Sequence, residues 1–96
     1  MIRHIVFFTA KNPQDRETIY EGLSLLLDIP DRRHLEIGRN FGTDRLSPGG
    51  PDFIVYGEFE DEAQLSAYKA HPLYEKSIEV VRPLRDKRIA ADFLAG

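Results

Sequence analysis

Ninety-six residues amount to one domain, 1–96, with room for a single core but not for helices on both sides of a four-stranded sheet. A hydrophobic share of 42% with mixed charges is that of a globular protein; the net charge of −3, with Lys and Arg scattered, leaves no footprint for nucleic acid or an anionic membrane. Cysteine is absent, which excludes disulfides, thiolate metal sites and a cysteine nucleophile. The apolar run after Met1 is short and broken by Arg3 and His4. No stretch reaches the roughly 20 apolar residues of a membrane helix, so the expected location is the cytoplasm.

Residues 2 to 10 read as a first strand, with Ile2, His4, Val6 and Phe8 on one face and Arg3, Ile5, Phe7 and Thr9 on the other. Asn12-Pro13-Gln14-Asp15 is a helix start: Asn12 as cap, Pro13 at the first helical position, Asp15 at the positive end of the dipole. The helix is expected to run to about Asp28, with Ile19, Leu23, Leu26 and Leu27 as its buried stripe and Tyr20 and Leu25 beside it. Gly22 lies mid-helix, where glycine costs about 1 kcal/mol against alanine. It either packs the helix closely on the sheet or opens space beneath it. Leu35 to Phe41 reads as a second strand, with Leu35, Ile37 and Phe41 on one face.

A Pro- and Gly-rich loop then leads into Asp52–Phe59, the most informative stretch of the chain. Phe53, Val55 and Phe59 point one way with Gly57, and Ile54 and Tyr56 the other. Both faces are apolar, and only Glu58 breaks the pattern. Asp61 and Gln64 form a variant of the capping box at the start of a second helix, striped by Leu65 and Tyr68. His71-Pro72 interrupts it, because proline cannot continue the hydrogen-bond ladder. Tyr74, Ile78 and Val81 then follow at i, i+4, i+7, and a last strand is expected from about Arg88 to Leu94.

The order β-α-β-β-α-β is the ferredoxin-like split unit, an α+β fold with a four-stranded antiparallel sheet and its helices on one face. The other face, carrying Ile5, Phe7, Ile54 and Tyr56, then has no cover within the chain. An apolar patch of that kind marks an interaction site. Burial at about 25 cal/mol per Å² over a typical interface of roughly 1,600 Å² suffices for an obligate pair. A two-fold homodimer joined sheet to sheet through these four residues is the simplest closed solution.

Met1-Ile-Arg-His-Ile-Val-Phe-Phe, Asp52-Phe-Ile-Val-Tyr-Gly-Glu-Phe-Glu-Asp, Ala67-Tyr-Lys-Ala-His-Pro and Ala91-Asp-Phe, in this order, resemble the stress-responsive dimeric α/β-barrel (Dabb) family. The resemblance implies a ferredoxin-like protomer and a dimer whose two sheets close into a barrel. Many members of that family have no assigned reaction. One branch, olivetolic acid cyclase, closes a polyketide by aldol condensation through a tyrosine and a histidine. The histidine of that pair falls on Tyr74 here, and a further tyrosine of the branch falls on Gly22; the family's first-strand histidine is kept as His4 and its helix tyrosine as Tyr68.

The residues themselves give a matching set of candidates. His4 faces the helix layer if Phe8 does, and Tyr68 and His71 are i, i+3 neighbours. With Tyr74 they could line a small pocket and move a proton near neutral pH. Each has a structural alternative. His4 could be a core-edge histidine bonded to a carbonyl, Tyr68 and Tyr74 packing residues with satisfied hydroxyls, and His71 the cap of the restarted helix. His34 is expected in solvent, and Asp92 to tie the last strand to a backbone or basic group. The spacing of the three histidines suggests no metal site, and no cofactor is expected. Three functions follow: a stress-tolerance barrel of unassigned activity that takes a small hydrophobic or aromatic molecule; a cofactor-independent enzyme, cyclase-like or monooxygenase-like, using a His/Tyr acid-base pair; or an interaction module whose open face takes a different protein.

Overall fold

The computed structural model describes every residue from Met1 to Gly96. Strand β1 spans Ile2–Ala10, helix α1 Arg16–Ser24, strand β2 His34–Arg39 and strand β3 Phe53–Phe59. Helices α2 (Glu62–Ala70) and α3 (Pro72–Val81) follow, and β4 (Arg85–Leu94) closes the chain. The four strands form one sheet in the order β2-β3-β1-β4, antiparallel at every pairing. The ferredoxin-like arrangement read from the element order is the one present.

The core lies between the sheet and the helices. Ile2, Val6 and Phe8 of β1, Phe53, Val55 and Phe59 of β3 and Leu35 of β2 meet Ile19, Leu23 and Leu26 from the α1 segment, with Leu65, Tyr68 and Val81 from the later helices. Asp52, expected as the first residue of β3, lies just before it and clamps the core's edge. Its carboxylate accepts from the Ala10 N–H at 2.8 Å and from Arg16 Nε at 3.0 Å. One side chain thus ties the end of β1 to the start of α1.

Five local readings differ from the sequence expectation. The first helix is α-helical only from Arg16 to Ser24, with 3-10 turns at Pro13–Asp15 and Leu25–Asp28 on either side. Asn12 makes no side-chain cap bond. In the tighter last turn Leu27 rotates outward, and Ile29, fully buried, takes its place in the core. Arg32 donates to the carbonyls of Leu27 and Ile29, satisfying acceptors that the helix end leaves open. Strand β2 ends at Arg39, so Phe41 stands 95% exposed in the following loop instead of on the core face. Strand β4 starts three residues early, at Arg85.

Gly22 packs against another helix and not against the sheet. A Cβ built there would lie 2.7 Å from Val80 Cγ1 and 2.9 Å from Val81 Cγ2 on α3. Nor does it open a void, since those methyls fill the space.

The opposite face of the sheet has no helix over it. Cross-strand register sets Ile54, Phe7 and Ile89 in one row and Tyr56, Ile5 and Ala91 in the next. Ile89 and Phe93, 60% and 54% exposed, extend the apolar strip onto β4. The polar groups on this face satisfy one another. Arg3 Nη1 donates to the Tyr56 hydroxyl at 2.6 Å and to Glu58 at 3.0 Å, and the Tyr56 hydroxyl donates to Glu58 at 2.7 Å. The Tyr56 hydrogen bond first, and the Arg3 charge after it, hold the Glu58 carboxyl below its ordinary value.

Gly22→Ala sets the helix-propensity gain of about 1 kcal/mol against overpacking of about 1–3 kcal/mol. Valine cannot swing its methyls away cheaply, so overpacking wins. The expected outcome is a net loss of about 1 kcal/mol, seen as a thermal midpoint several degrees lower in a circular dichroism melt.

Candidate functional site

The helix layer is narrower than the sheet. It covers β1 and β3, but every residue of β4 from Asp86 to Leu94 is exposed. Between α3 and the β1–β4 edge this leaves a cavity of about 290 Å³. Val6, Phe8, Leu23 and Val55 make its apolar wall; His4, Tyr68, Tyr74 and Ser77 bring polar atoms to it; and Arg82, Arg85 and Arg88 also line it.

His4 sits in the middle of the core face of β1, 1% exposed. Its cross-strand neighbours are Gly57 on one side and Asp92 on the other. Gly57 is required by the packing: a Cβ there would come within 2.8 Å of the Phe59 ring and 3.0 Å of Leu35. Phe59 turns its ring toward this gap and meets the imidazole edge-on, at 6.1 Å between centroids. On the other side His4 Nδ1 is hydrogen-bonded to Asp92 Oδ1. A carboxylate acceptor at Nδ1 makes that nitrogen the donor in the neutral ring, which leaves Nε2 as the free lone pair. No protein group bonds Nε2, and no buried side-chain N or O atom lacks a partner, so Nε2 opens onto the cavity.

Tyr68 meets the His4 ring at 6.3 Å and packs against Phe59 at 4.9 Å and Tyr74 at 5.3 Å. Its side chain is buried to 1% exposure, yet no protein group bonds its hydroxyl, which therefore also reaches the cavity. Burial pushes the phenol well above its ordinary ionisation, and the neighbouring Tyr74 adds to the shift. Tyr68 is thus a neutral hydroxyl and a proton donor, not a base. Tyr74 receives a long contact from Arg88 Nη2 at 3.5 Å.

Of the four residues expected at the site, the structure brings His4, Tyr68 and Tyr74 to one cavity. His71 is elsewhere. It ends α2 and starts α3, and its Nδ1 accepts from the Leu73 N–H at 3.1 Å, so it serves as the cap and does not line the cavity. Asp92 finds the basic partner expected of it, and that partner is His4. His34 is exposed and pairs with Glu36 at 3.1 Å. The arginines were missed. They recur every third residue from 82 to 88, but from the end of α3 into β4, so no one element's period marks them as a group.

Fold and site together define a ferredoxin-like protomer with an uncovered sheet face and a small cavity under its helices. The chain belongs to the Dabb family, the stress responsive A/B barrel domain, whose model matches residues 2–95. A dimeric ferredoxin-like protein of unknown function from Thermobifida fusca YX is similar to it, with a TM-score of 0.82 and 28% identity over 98% of this chain and 90% of that one. A Dabb family protein with a ferredoxin-like fold from Mesorhizobium loti MAFF303099 has a TM-score of 0.78 and 23% identity, over 98% and 95% of the two chains. In fold alone the chain is also similar to a candidate antibiotic biosynthesis monooxygenase from Nitrosomonas europaea: TM-score 0.80, 15% identity, 99% and 98% covered. No curated protein matches the sequence.

The raised Tyr68 ionisation fixes a sign. Above about pH 10 an unfolded tyrosine loses its proton while the buried one keeps it, so stability falls as pH rises through that range. Tyr68→Phe removes no hydrogen bond within the protein and is expected to change stability at pH 7 by less than about 1 kcal/mol. It should also flatten the alkaline loss, which denaturant titrations between neutral and alkaline pH will read.

Proposed function

We propose that this Dabb domain is a two-fold homodimer whose protomers each bind a small hydrophobic or aromatic molecule in the cavity beneath α3. The observation that carries the binding reading is the accessible Nε2 of His4. A packed core would cover this nitrogen or give it a partner, whereas here it joins the Tyr68 hydroxyl on the wall of an apolar cavity. The volume is near the low end for ligand sites, which favours a compact molecule.

The same observation favours a second reading, cofactor-independent acid-base catalysis. Asp92 holds the His4 ring in the tautomer whose Nε2 can take a proton, and its negative charge stabilises the imidazolium that results. Tyr68, neutral and unpartnered, is placed to donate to a developing oxyanion. Tyr74 lines the cavity beside Tyr68, and His71 has no part in this scheme.

The dimer rests on the open face. Ile5, Phe7, Ile54 and Tyr56 lie in two adjacent rows with no helix over them, and the similar protein from Thermobifida fusca is described as dimeric. Light scattering is expected to give a dimer at micromolar concentration, and Phe7→Asp a folded monomer. A monomeric wild-type chain would leave the face for another protein.

For the cavity, a thermal-shift screen of small aromatic compounds is expected to return ligands that stabilise the wild type. Ser77→Leu, which fills the space, should abolish the shift while keeping the fold. If a ligand proves to be turned over, Asp92→Asn should leave its binding in place and slow the reaction by about 10²-fold or more. Unchanged turnover in Asp92→Asn would reject the acid-base reading.

A further inference from the structure

Arg82, Arg85 and Arg88 line the same cavity, and none of the three is ion-paired to a carboxylate. They are the only lysine, arginine or carboxylate side chains on the cavity wall, in a chain whose net charge is −3. A cluster of one sign lining a cavity, with no counter-ion in the chain, makes the local potential positive and attracts an anion.

The backbone departs from regularity to make this cluster. In an unbroken strand, residues three apart point to opposite faces, so Arg85 and Arg88 would be separated by the sheet. They are not, because the β1–β4 register shifts: Phe8 pairs with Arg88, but Ala10 pairs with Arg85. Two residue steps on β1, from Ala10 to Phe8, face three on β4, from Arg85 to Arg88. The extra residue is a bulge, and it returns both arginines to the helix face. Arg82, at the end of α3, supplies the third cation from above.

We infer that the cavity's ligand is a small monocarboxylate with an apolar body, its carboxylate held by Arg85 and Arg88 with Arg82 beside them. This rests on the binding reading above and specifies its ligand. Guanidinium groups bind carboxylates through paired N–H donors, and Arg88 reaches over the Phe8 ring, where an apolar body meets the wall. Length follows from register. Arg88 lies opposite Phe8 and Asp92 opposite His4, four strand positions apart, or about 13 Å. A ligand anchored at the arginines therefore extends its uncharged end toward His4 Nε2 and the Tyr68 hydroxyl.

The test compares 4-phenylbutyrate with 4-phenylbutan-1-ol, of matching length and body but without the charge, by calorimetry on the wild-type protein. The carboxylate is expected to bind at least about tenfold more tightly, and Arg85→Gln with Arg88→Gln to remove that advantage while leaving the alcohol's affinity unchanged. Both side chains lie at the cavity's solvent side, and a circular dichroism melt confirms that the variant is folded. Equal affinity for the two compounds, or indifference to the arginine changes, would overturn the anion inference alone. If neither compound binds and the thermal-shift screen of the wild-type protein is also silent, the binding reading falls with it.

Discussion

The feature on which the rest depends is a mismatch of width. Three short helices lie on a four-stranded sheet and cover β1 and β3, but they stop short of β4. The sheet is apolar on both sides, so the mismatch leaves two unfilled places: the whole far face, and a gap under the helix layer at its β4 edge. The first is where the proposed partner would sit, the second where the proposed ligand would. Gly22 shows how the gap is kept to one side, because it lets α1 sit directly on Val80 and Val81 and draws the helices together over β1 and β3.

The two places differ in how their polar groups are handled. On the open face, Arg3, Tyr56 and Glu58 form a closed set in which donors and acceptors answer each other, so the face can be covered without stranding a charge. In the cavity the opposite holds. His4 Nε2 and the Tyr68 hydroxyl have no protein partner, and the arginines have no counter-ion within the chain. Satisfied polar groups beside apolar rows suit a permanent interface, and unsatisfied ones around an apolar hollow suit a ligand that comes and goes.

Most of the architecture was legible in the chain. The alternation in Phe53–Phe59 put Phe53, Val55 and Phe59 in the core, and the strand composition of residues 2–8 put His4 on the same face as Val6 and Phe8. Asp61 with Gln64 marked a helix start that the structure keeps, Asp61 accepting from the Gln64 N–H at 2.9 Å. Errors fell where local geometry departs from an ideal period. Leu27 left its stripe because the last turn tightened, and Phe41 fell outside a strand that ends sooner than its composition suggests. His71 was open between cap and pocket. Its choice depends on where one ring nitrogen finds a donor, which periodicity does not encode.

Sequence alone determined what each segment is and which side of it is apolar, because both follow from residue types at fixed spacing. It therefore determined the fold, the bare sheet face and His4 as the histidine turned toward the helices. Tertiary structure alone decided who meets whom. The His4–Asp92 bond joins residues 88 apart in the chain through strand register, and the arginines converge through one extra residue in β4. Register and bulges arise from the competition of all the pairings in the sheet at once, so no single stretch of the chain carries them.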